Sequence, residues 1–251
     1  GSMLVLLKDA IKPNIIQSLE NNPVFVHGGP FGNIAHGCNT IIATKTALKI
    51  SDYVVTEAGF GADLGAEKFL DIKCRKANLA PDATVLVATI RALKMHGGVD
   101  KENLNKENVE AVKKGSENLL KHIENLKKYG VPVVVGINAF VSDTEDEMDV
   151  IRKVCEKVGI KAVTSKHWEF GGDGAVDLAN EVVDTLDKTK SNFKTLYDDN
   201  LSLEEKIKKV STEIYGAKEL EISTTAKKQL EDLKGTKYEK FPVCIAKTQY
   251  S

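Results

Sequence analysis

Short apolar runs alternate with amphipathic segments along most of the chain. The apolar runs are rich in β-branched residues and nearly continuous, which predicts strands covered on both faces, as in a parallel sheet. Because helical patterns lie between the runs, we predict an α/β fold of βαβ units with a doubly wound, mostly parallel sheet. The predicted strands are residues 24–27, 53–57, 84–90, 131–139, 161–164 and 243–246.

Three of the predicted helices carry start or stop signals typical of helix ends. These signals are Val109 with Gly130, Thr144 or Asp143 with Gly159, and the capping-box pair Ser202 and Glu205 with Gly216. The Lys- and Glu-rich stretch 187–235 mixes both charge signs and is predicted to be mostly solvated helix surface.

The patterns divide the chain into three parts. Residues 1–3 resemble the remnant of an expression tag. Residues 4–186 are predicted to form a central α/β portion that contains the ligand cleft. Residues 187–251 are predicted to be a mostly helical C-terminal portion that ends in a strand, and this ending suggests a truncated polypeptide.

Composition narrows the function classes. Of the 251 residues, 42% are hydrophobic and 28% are charged, which is enough to bury a core. The formal net charge of −1 gives no general attraction to nucleic acid or to a membrane surface, and no apolar run has the length of a membrane span. The four cysteines lie far apart, so the sequence favours reduced thiols in a cytoplasmic protein over a zinc site or disulfides.

Residues 27–37, with the sequence HGGPFGNIAHG, directly follow the first predicted strand. Glycines allow a ligand to approach the backbone closely, and His27, Asn33 and His36 supply hydrogen-bonding groups. Histidine can also carry charge near neutral pH. The alternative is a tight turn with solvated polar side chains.

Loops rich in glycine, polar or aromatic residues follow five of the predicted strands. Ligands of open parallel sheets bind beyond the carboxyl ends of the strands, so we expect these loops to converge on one ligand cleft. The loops are residues 27–37, 57–65, 91–98, 138–143 and 166–174.

Three aromatic residues, Phe60, Phe140 and Trp168, lie in these loops rather than on apolar helix faces. Two such rings could sandwich a planar heterocycle, with each contact contributing about 0.5–1.5 kcal/mol beyond area burial. A tryptophan is more often part of a core, but the polar, glycine-rich surroundings of Trp168 favour a stacking surface.

Charged groups in the loops give weaker signals. Arg91 and Lys94, with His96, form a cationic loop that could bind an anion, although a solvated helix start explains it equally well. The glycines of residues 59–65 lack the spacing of a dinucleotide fingerprint. Since the sequence also lacks a G-x-x-x-x-G-K-[ST] motif and any paired metal-ligand spacing, the residues alone predict a cleft for a planar, partly anionic ligand without an obvious nucleophile.

The same loops resemble those of formate–tetrahydrofolate ligase, also called 10-formyltetrahydrofolate synthetase. The resemblance covers nearly the whole chain in order, and strings of this length are far more specific than a short motif. It rests on residues 27–37, 55–65, 71–75, 91–98, 138–147 and the closing string 246–251.

The resemblance implies a reaction in which ATP, Mg²⁺, formate and tetrahydrofolate give 10-formyltetrahydrofolate, ADP and phosphate through formyl phosphate. It also implies a P-loop-NTPase-like fold with a smaller C-terminal α/β portion, small-molecule partners, and a homo-oligomer for the full-length enzyme. Phosphoryl transfer needs groups that hold charge, whereas formyl transfer needs a held pterin and an aligned amine.

In this family, aromatic residues clamp the folate ring. The resemblance therefore assigns roles to ten residues and none to a metal. The candidates are Phe60, Phe140, Thr164 and Trp168 for folate, His27, Asn33 and His36 for catalysis, and Glu57, Arg91 and Lys94 for the anion or nucleotide side.

The chain departs from the family in lacking its N-terminal ATP loop, and the family continues beyond the closing string. We therefore expect a middle and C-terminal portion of the ligase that is inactive alone. The alternatives are a non-catalytic folate- or nucleotide-binding module and a structural remnant with an incomplete pocket.

Overall fold

A computed structural model describes residues 1–246, so the closing string lies outside the described residues except for Ala246. The strands are β1 (Asn14–Gln17), β2 (Pro23–Val26), β3 (Thr84–Ala88), β4 (Val133–Asn138) and β5 (Ala162–Ser165). The α-helices are α1 (Ser2–Ala10), α2 (Ile41–Ile50), α3 (Arg75–Ala77), α4 (Ile90–His96), α5 (Val109–Lys128), α6 (Glu145–Lys157), α7 (His167–Phe170), α8 (Val176–Lys188), α9 (Leu203–Lys209) and α10 (Thr224–Leu233). Ala62–Ala66, Phe69–Cys74 and Val210–Ile214 are π-helical, and Lys101–Asn103 and Gly171–Ala175 are 3₁₀-helical.

The chain forms two compact units. Unit 1 contains residues 1–79 and 195–251, and unit 2 contains residues 80–194. Within unit 1, the backbone N–H of Leu196 donates to Asp71 Oδ1 at 2.8 Å, and Arg75 donates to Asp199 Oδ1 at 2.6 Å. These contacts join residues 196 and 199 to residues 71 and 75, so the division into units differs from the boundary at 186/187 drawn from the sequence. The functional roles given to the two portions stay predictions.

Unit 2 contains a three-stranded parallel sheet in the order β3-β4-β5. The register pairs Leu86 with Val135 and Ile137 with Thr164. Each strand is followed by a helix, as parallel pairing requires. The α/β class and three of the six predicted strands are confirmed, whereas the P-loop-NTPase-like fold stays a prediction.

Strand β4 lies at the centre of the sheet and is covered on both faces. Val135 and Ile137 are fully buried in a core that also contains Ile123 of α5 and Ile151 of α6. Gly136 faces the other way, where an added Cβ would lie 3.0 Å from Leu178 Cδ2 of α8. The continuous apolar run of β4 is explained by this burial on two sides.

Three predicted strands require correction. Residues 53–57 and 243–246 form no strand, because β-forming residues without a neighbouring strand do not assemble a sheet. Tyr53 and Val55 are 64% and 96% exposed. The predicted strand 24–27 overlaps β2 (Pro23–Val26), but β2 pairs antiparallel with β1, which the sequence analysis missed. Antiparallel pairing follows from the short turn between β1 and β2, in which Asn21 takes φ 62°.

The predicted helix punctuation is confirmed. Gly130, Gly159 and Gly216 have φ of 71°, 71° and 70° after their helices, a conformation in which glycine carries no Cβ penalty. Thr144, rather than Asp143, caps α6. Capping boxes link Thr144 with Glu147 and Ser202 with Glu205.

A fully buried ion pair links the helices that follow β3 and β4 in unit 2. Lys94 Nζ of α4 lies 2.7 Å from Glu147 Oε1 of α6 and donates to the carbonyl oxygens of Leu104 and Lys106 at 3.0 and 2.9 Å. Glu147 also accepts the backbone N–H of Asn108 at 2.8 Å. Burial opposes the charge of Glu147, but the hydrogen bond from Lys94 and those from the backbone hold the pKa of Glu147 below its usual value.

Replacing Lys94 with methionine should lower the free energy of unfolding by about 3–5 kcal/mol, because Glu147 would keep a buried charge without its partner. Urea denaturation followed by circular dichroism measures this loss. Lys113→Met, at an exposed position of α5, is the matched control. Equal stability of the two variants would contradict the structural importance of the pair.

Candidate functional site

The carboxyl edge of the parallel sheet brings two polar loops of unit 2 together. Asn138 and Ser165 end β4 and β5 and lie opposite each other in the register. Residues 139–144 follow the first strand, and residues 166–175 follow the second. This edge is where open parallel sheets bind ligands.

Phe140 and Trp168 form an aromatic pair at this edge. Their ring centroids lie 6.4 Å apart, and the ring planes are inclined by 47°. Trp168 is 69% exposed, and Phe140 is partly buried. Two of the four predicted folate residues are therefore brought together on an open aromatic surface.

Asp143 holds the turn that carries Phe140. Its Oδ2 accepts the backbone N–H of Phe140 at 2.9 Å, and its own N–H donates to the Phe140 carbonyl at 2.9 Å. Burial raises the pKa of Asp143, although the bond from Phe140 opposes the rise. Asp143 Oδ1 and Asn138 Oδ1 are inaccessible to solvent and accept no hydrogen bond within the described residues.

The loop that carries Trp168 is closed by a short backbone contact. Lys166 N–H donates to the Gly174 carbonyl at 2.8 Å, and a Cβ at Gly174 would overlap with the Lys166 carbonyl. The neighbouring His167 Nδ1 lies 2.8 Å from Ser165 Oγ, which is buried. Glycine at 174 is thus required for the loop to return so closely on itself.

The other predicted site residues of unit 2 have partners or positions elsewhere than the ring pair. The Thr164 hydroxyl accepts from Arg152 Nη2 of α6 at 2.8 Å, so it is directed to a helix. Arg91 is exposed in the first turn of α4. Lys94 uses all three ammonium hydrogens within the buried network and has none left for an anion.

In unit 1, two glycine-rich loops pack backbone against backbone. A Cβ at Gly37 would lie 2.6 Å from Gly32 Cα, and one at Gly59 would lie 2.9 Å from the Gly37 carbonyl oxygen. A Cβ at Gly65 would overlap with the Gly59 carbonyl. Loops 27–37 and 57–65 therefore contact each other, although neither follows a strand of the parallel sheet. The convergence of all five loops on one ligand cleft stays a prediction. We call these four residues the glycine cluster.

Phe60 is held in the glycine cluster with a strained backbone. Its φ is 63°, a region that non-glycine residues rarely adopt. A Cβ at Gly32 would lie 2.7 Å from the Phe60 ring, and Phe31 makes an edge contact with centroids 6.1 Å apart. The ring is nevertheless 53% exposed.

His27 ties loop 27–37 to its surroundings through both ring nitrogens. Nε2 lies 2.8 Å from the Ala10 carbonyl, and Nδ1 lies 2.7 Å from the Thr40 hydroxyl. Asn39 Oδ1 accepts the backbone N–H of His27 at 3.2 Å. Both nitrogens of His27 are therefore engaged within the chain, and its catalytic role stays a prediction.

Asn33 and His36, unlike His27, have polar groups with few partners or an altered pKa. Asn33 Oδ1 is buried and accepts no hydrogen bond within the described residues. Burial and the nearby charges of Lys73, Lys76 and Lys68 lower the pKa of His36. Lys68, itself fully buried, donates to the Gly32 carbonyl at 2.6 Å. The loop thus lies in positively charged surroundings, while Glu57 is exposed nearby in sequence.

A model of the family described as formate–tetrahydrofolate ligase matches residues 1–251. The chain belongs to the formate–tetrahydrofolate ligase family. Over 251 residues it is 58% identical to the formate–tetrahydrofolate ligase of Granulibacter bethesdensis and 59% identical to that of Ruegeria pomeroyi. These matches cover 100% of this chain but 44% and 45% of the two relatives, so the chain spans less than half of their length.

The segment that follows loop 57–65 contains buried charged residues that the sequence analysis did not single out. Glu67, Lys68 and Asp71 are fully buried. Burial, followed by the Asp71 carboxylate, raises the pKa of Glu67. The one available signal was the string 71–75, which carries the family resemblance but gives no sign of burial.

The described residues contain neither a metal-holding cluster nor a membrane-spanning helix. Between residues 1 and 246, no group of three His, Cys, Asp or Glu side chains is arranged to hold a metal ion. No helix in this range combines the length and apolar character needed to cross a bilayer.

Replacing Gly65 with alanine should destabilise unit 1 by about 3 kcal/mol, because the new methyl group overlaps with the Gly59 carbonyl in a buried contact. Chemical denaturation measures the loss. Gly29→Ala is the matched control, since a Cβ there meets no atom within 4 Å. A Gly65→Ala variant as stable as the control would contradict the close packing of the two loops.

Proposed function

We propose that this chain supplies the folate-binding part of a formate–tetrahydrofolate ligase, which formylates tetrahydrofolate to 10-formyltetrahydrofolate with ATP by way of formyl phosphate. The observation that carries the proposal is the exposed Phe140–Trp168 pair at the carboxyl edge of the sheet in a chain of this family. Such an edge is the expected place for a ligand, and the two rings offer a surface for a flat one.

The geometry of the ring pair suits a pterin. A flat ring held between two others needs about 3.5–4.0 Å on each side. The two spacings together require about 7–8 Å between the outer rings. The observed centroid separation of 6.4 Å is less than that total, and the ring planes are inclined by 47°. Because Trp168 is largely exposed, a small rotation of its indole would admit the ligand.

Unit 1 supplies groups suited to an anion. We assign contact with formate or formyl phosphate to Asn33 and His36, and hydrophobic contact with substrate to Phe60. A neutral imidazole carries one donor and one acceptor nitrogen, and the lowered pKa of His36 favours that form at neutral pH. His27 holds the loop in place, and Glu57 and Arg91 remain candidates for the anion or nucleotide side.

ATP and Mg²⁺ enter the proposal through family membership alone. The sequence contains no phosphate-cradling loop, and no metal-holding cluster lies between residues 1 and 246. We therefore derive no step of phosphoryl transfer from this chain. Formate, tetrahydrofolate and ATP as partners, a cytoplasmic location and a homo-oligomeric full-length enzyme all belong to the proposal.

The second candidate function is a folate- or nucleotide-binding module without chemistry. The exposed Phe140–Trp168 pair favours it, because stacking on aromatic rings binds a planar ligand without any chemical step. Both functions require a planar ligand at the ring pair, but only the first requires formyl transfer.

Tetrahydrofolate should change the fluorescence of the chain saturably, because Trp168 is its only tryptophan. Phe140→Ala should weaken binding by about tenfold, since losing one stacked ring costs about 1–3 kcal/mol. N-acetyltryptophanamide corrects for light absorbed by the folate. Phe241→Ala, which removes one ring of the exposed Tyr238–Phe241 pair in unit 1, is the matched control. Unchanged emission of the wild type would contradict folate binding at the ring pair.

The chain by itself should show no ADP release that depends on both formate and tetrahydrofolate, because it lacks a phosphate-cradling loop. A coupled ADP assay measures this, with the full-length relative from Ruegeria pomeroyi as the positive control. Release at the rate of that relative would refute the expectation.

A further inference from the structure

Two buried acceptors without partners belong to the segment of unit 2 that carries Phe140. Asn138 is the last residue of β4, two positions before Phe140, and Asp143 bonds directly to the Phe140 backbone. Asn138 Oδ1 and Asp143 Oδ1 accept no hydrogen bond within the described residues and are inaccessible to solvent. Leaving such atoms unpaired is unfavourable, because each loses its hydration and gains no hydrogen bond in return.

Holding the turn does not explain both oxygens of Asp143. Oδ2 alone accepts the Phe140 N–H, so Oδ1 contributes nothing to that contact. A carboxylate with one desolvated oxygen is unfavourable, which agrees with the raised pKa of Asp143.

The charged groups around Asp143 leave Oδ1 without a hydrogen-bond donor. Lys94 donates its three ammonium hydrogens to Glu147 and to two carbonyl oxygens. Arg91 is exposed and exerts only a weak attraction on Asp143. Glu147 is itself an acceptor and adds repulsion. The geometry therefore favours a donor that arrives with a ligand.

We propose that Asn138 and Asp143 recognise the hydrogen-bonding edge of the planar ring held by Phe140 and Trp168, by accepting from a ring N–H and from the amino group next to it. This inference rests on the proposed function and adds a specificity determinant to it. The edge occurs in the pterin of tetrahydrofolate and also in guanine. A carboxylate forms a charge-assisted hydrogen bond with such a donor.

Recognition of this kind predicts strong discrimination between ligands that carry the N–H donors and ligands that lack them. A site built to hydrogen-bond a substrate N–H rejects an analogue that lacks it, because the buried acceptors of the site are then left unpaired. Stacking alone does not discriminate in this way, since every planar ring offers a face.

The test measures Trp168 fluorescence during titration of the wild-type chain with four probes: tetrahydrofolate, its analogue lacking the 2-amino group, guanosine and adenosine. We expect the analogue to bind at least about tenfold more weakly than tetrahydrofolate, and adenosine more weakly than guanosine. If tetrahydrofolate and its analogue bind equally, and guanosine and adenosine also bind equally, the inference is overturned and the proposed function still stands. Binding of guanosine but not tetrahydrofolate would refute the proposed function and support recognition of the edge. No binding of any probe would overturn both.

Two variants separate recognition from a merely structural role. Asp143→Asn and Asn138→Ser should weaken tetrahydrofolate binding by about tenfold and reduce discrimination against the analogue. Asp146→Asn, at an exposed acid in the first turn of α6, should change neither quantity. If Asp143 only held the Phe140 turn, its variant would weaken both ligands equally, and that result would overturn its part in the inference. The wild-type comparison decides even if one variant fails to fold.

Discussion

The buried ion pair between Lys94 and Glu147 is the contact on which the carboxyl edge of unit 2 depends. Lys94 belongs to the helix after β3, Glu147 belongs to the helix after β4, and the same carboxylate receives the N–H that begins α5. One pair thus fixes three connections. Because a lone charge there would be far more costly than the pair, these connections are held together. The turn that carries Phe140 ends at Thr144, which shares the capping box with Glu147, so the aromatic surface is built on this network.

Unit 1 depends on a different constraint, the absence of side chains. The glycine cluster lets two loops touch through their backbones, at separations that any Cβ would prevent. The close packing holds Phe60 at a positive φ, and such strain persists only where the surroundings over-determine it. Lys68 strengthens the same arrangement from within by donating to the Gly32 carbonyl. Strain, an exposed ring and buried charges in one place agree with a functional loop.

The two units offer different chemistry. Unit 2 presents two aromatic faces and two unpaired acceptors, which suit a flat ring with N–H donors. Unit 1 presents an amide, an imidazole with a lowered pKa and nearby lysines, which suit a small anion.

The sequence by itself determined the α/β class, the three parallel strands and the helix ends, because these follow from local periodicity and from the conformational demands of glycine and capping residues. It also singled out Phe140 and Trp168, since aromatic residues in polar loops stand out from the surrounding pattern. Only the tertiary structure decided which charges are buried. Lys94, Lys68 and Glu67 look like solvated residues in the sequence, and nothing local marks a partner that lies tens of residues away, such as Glu147 for Lys94 or Gly32 for Lys68. The antiparallel pairing of β2 and the engagement of both nitrogens of His27 likewise depend on neighbours brought in by folding, which periodicity cannot encode.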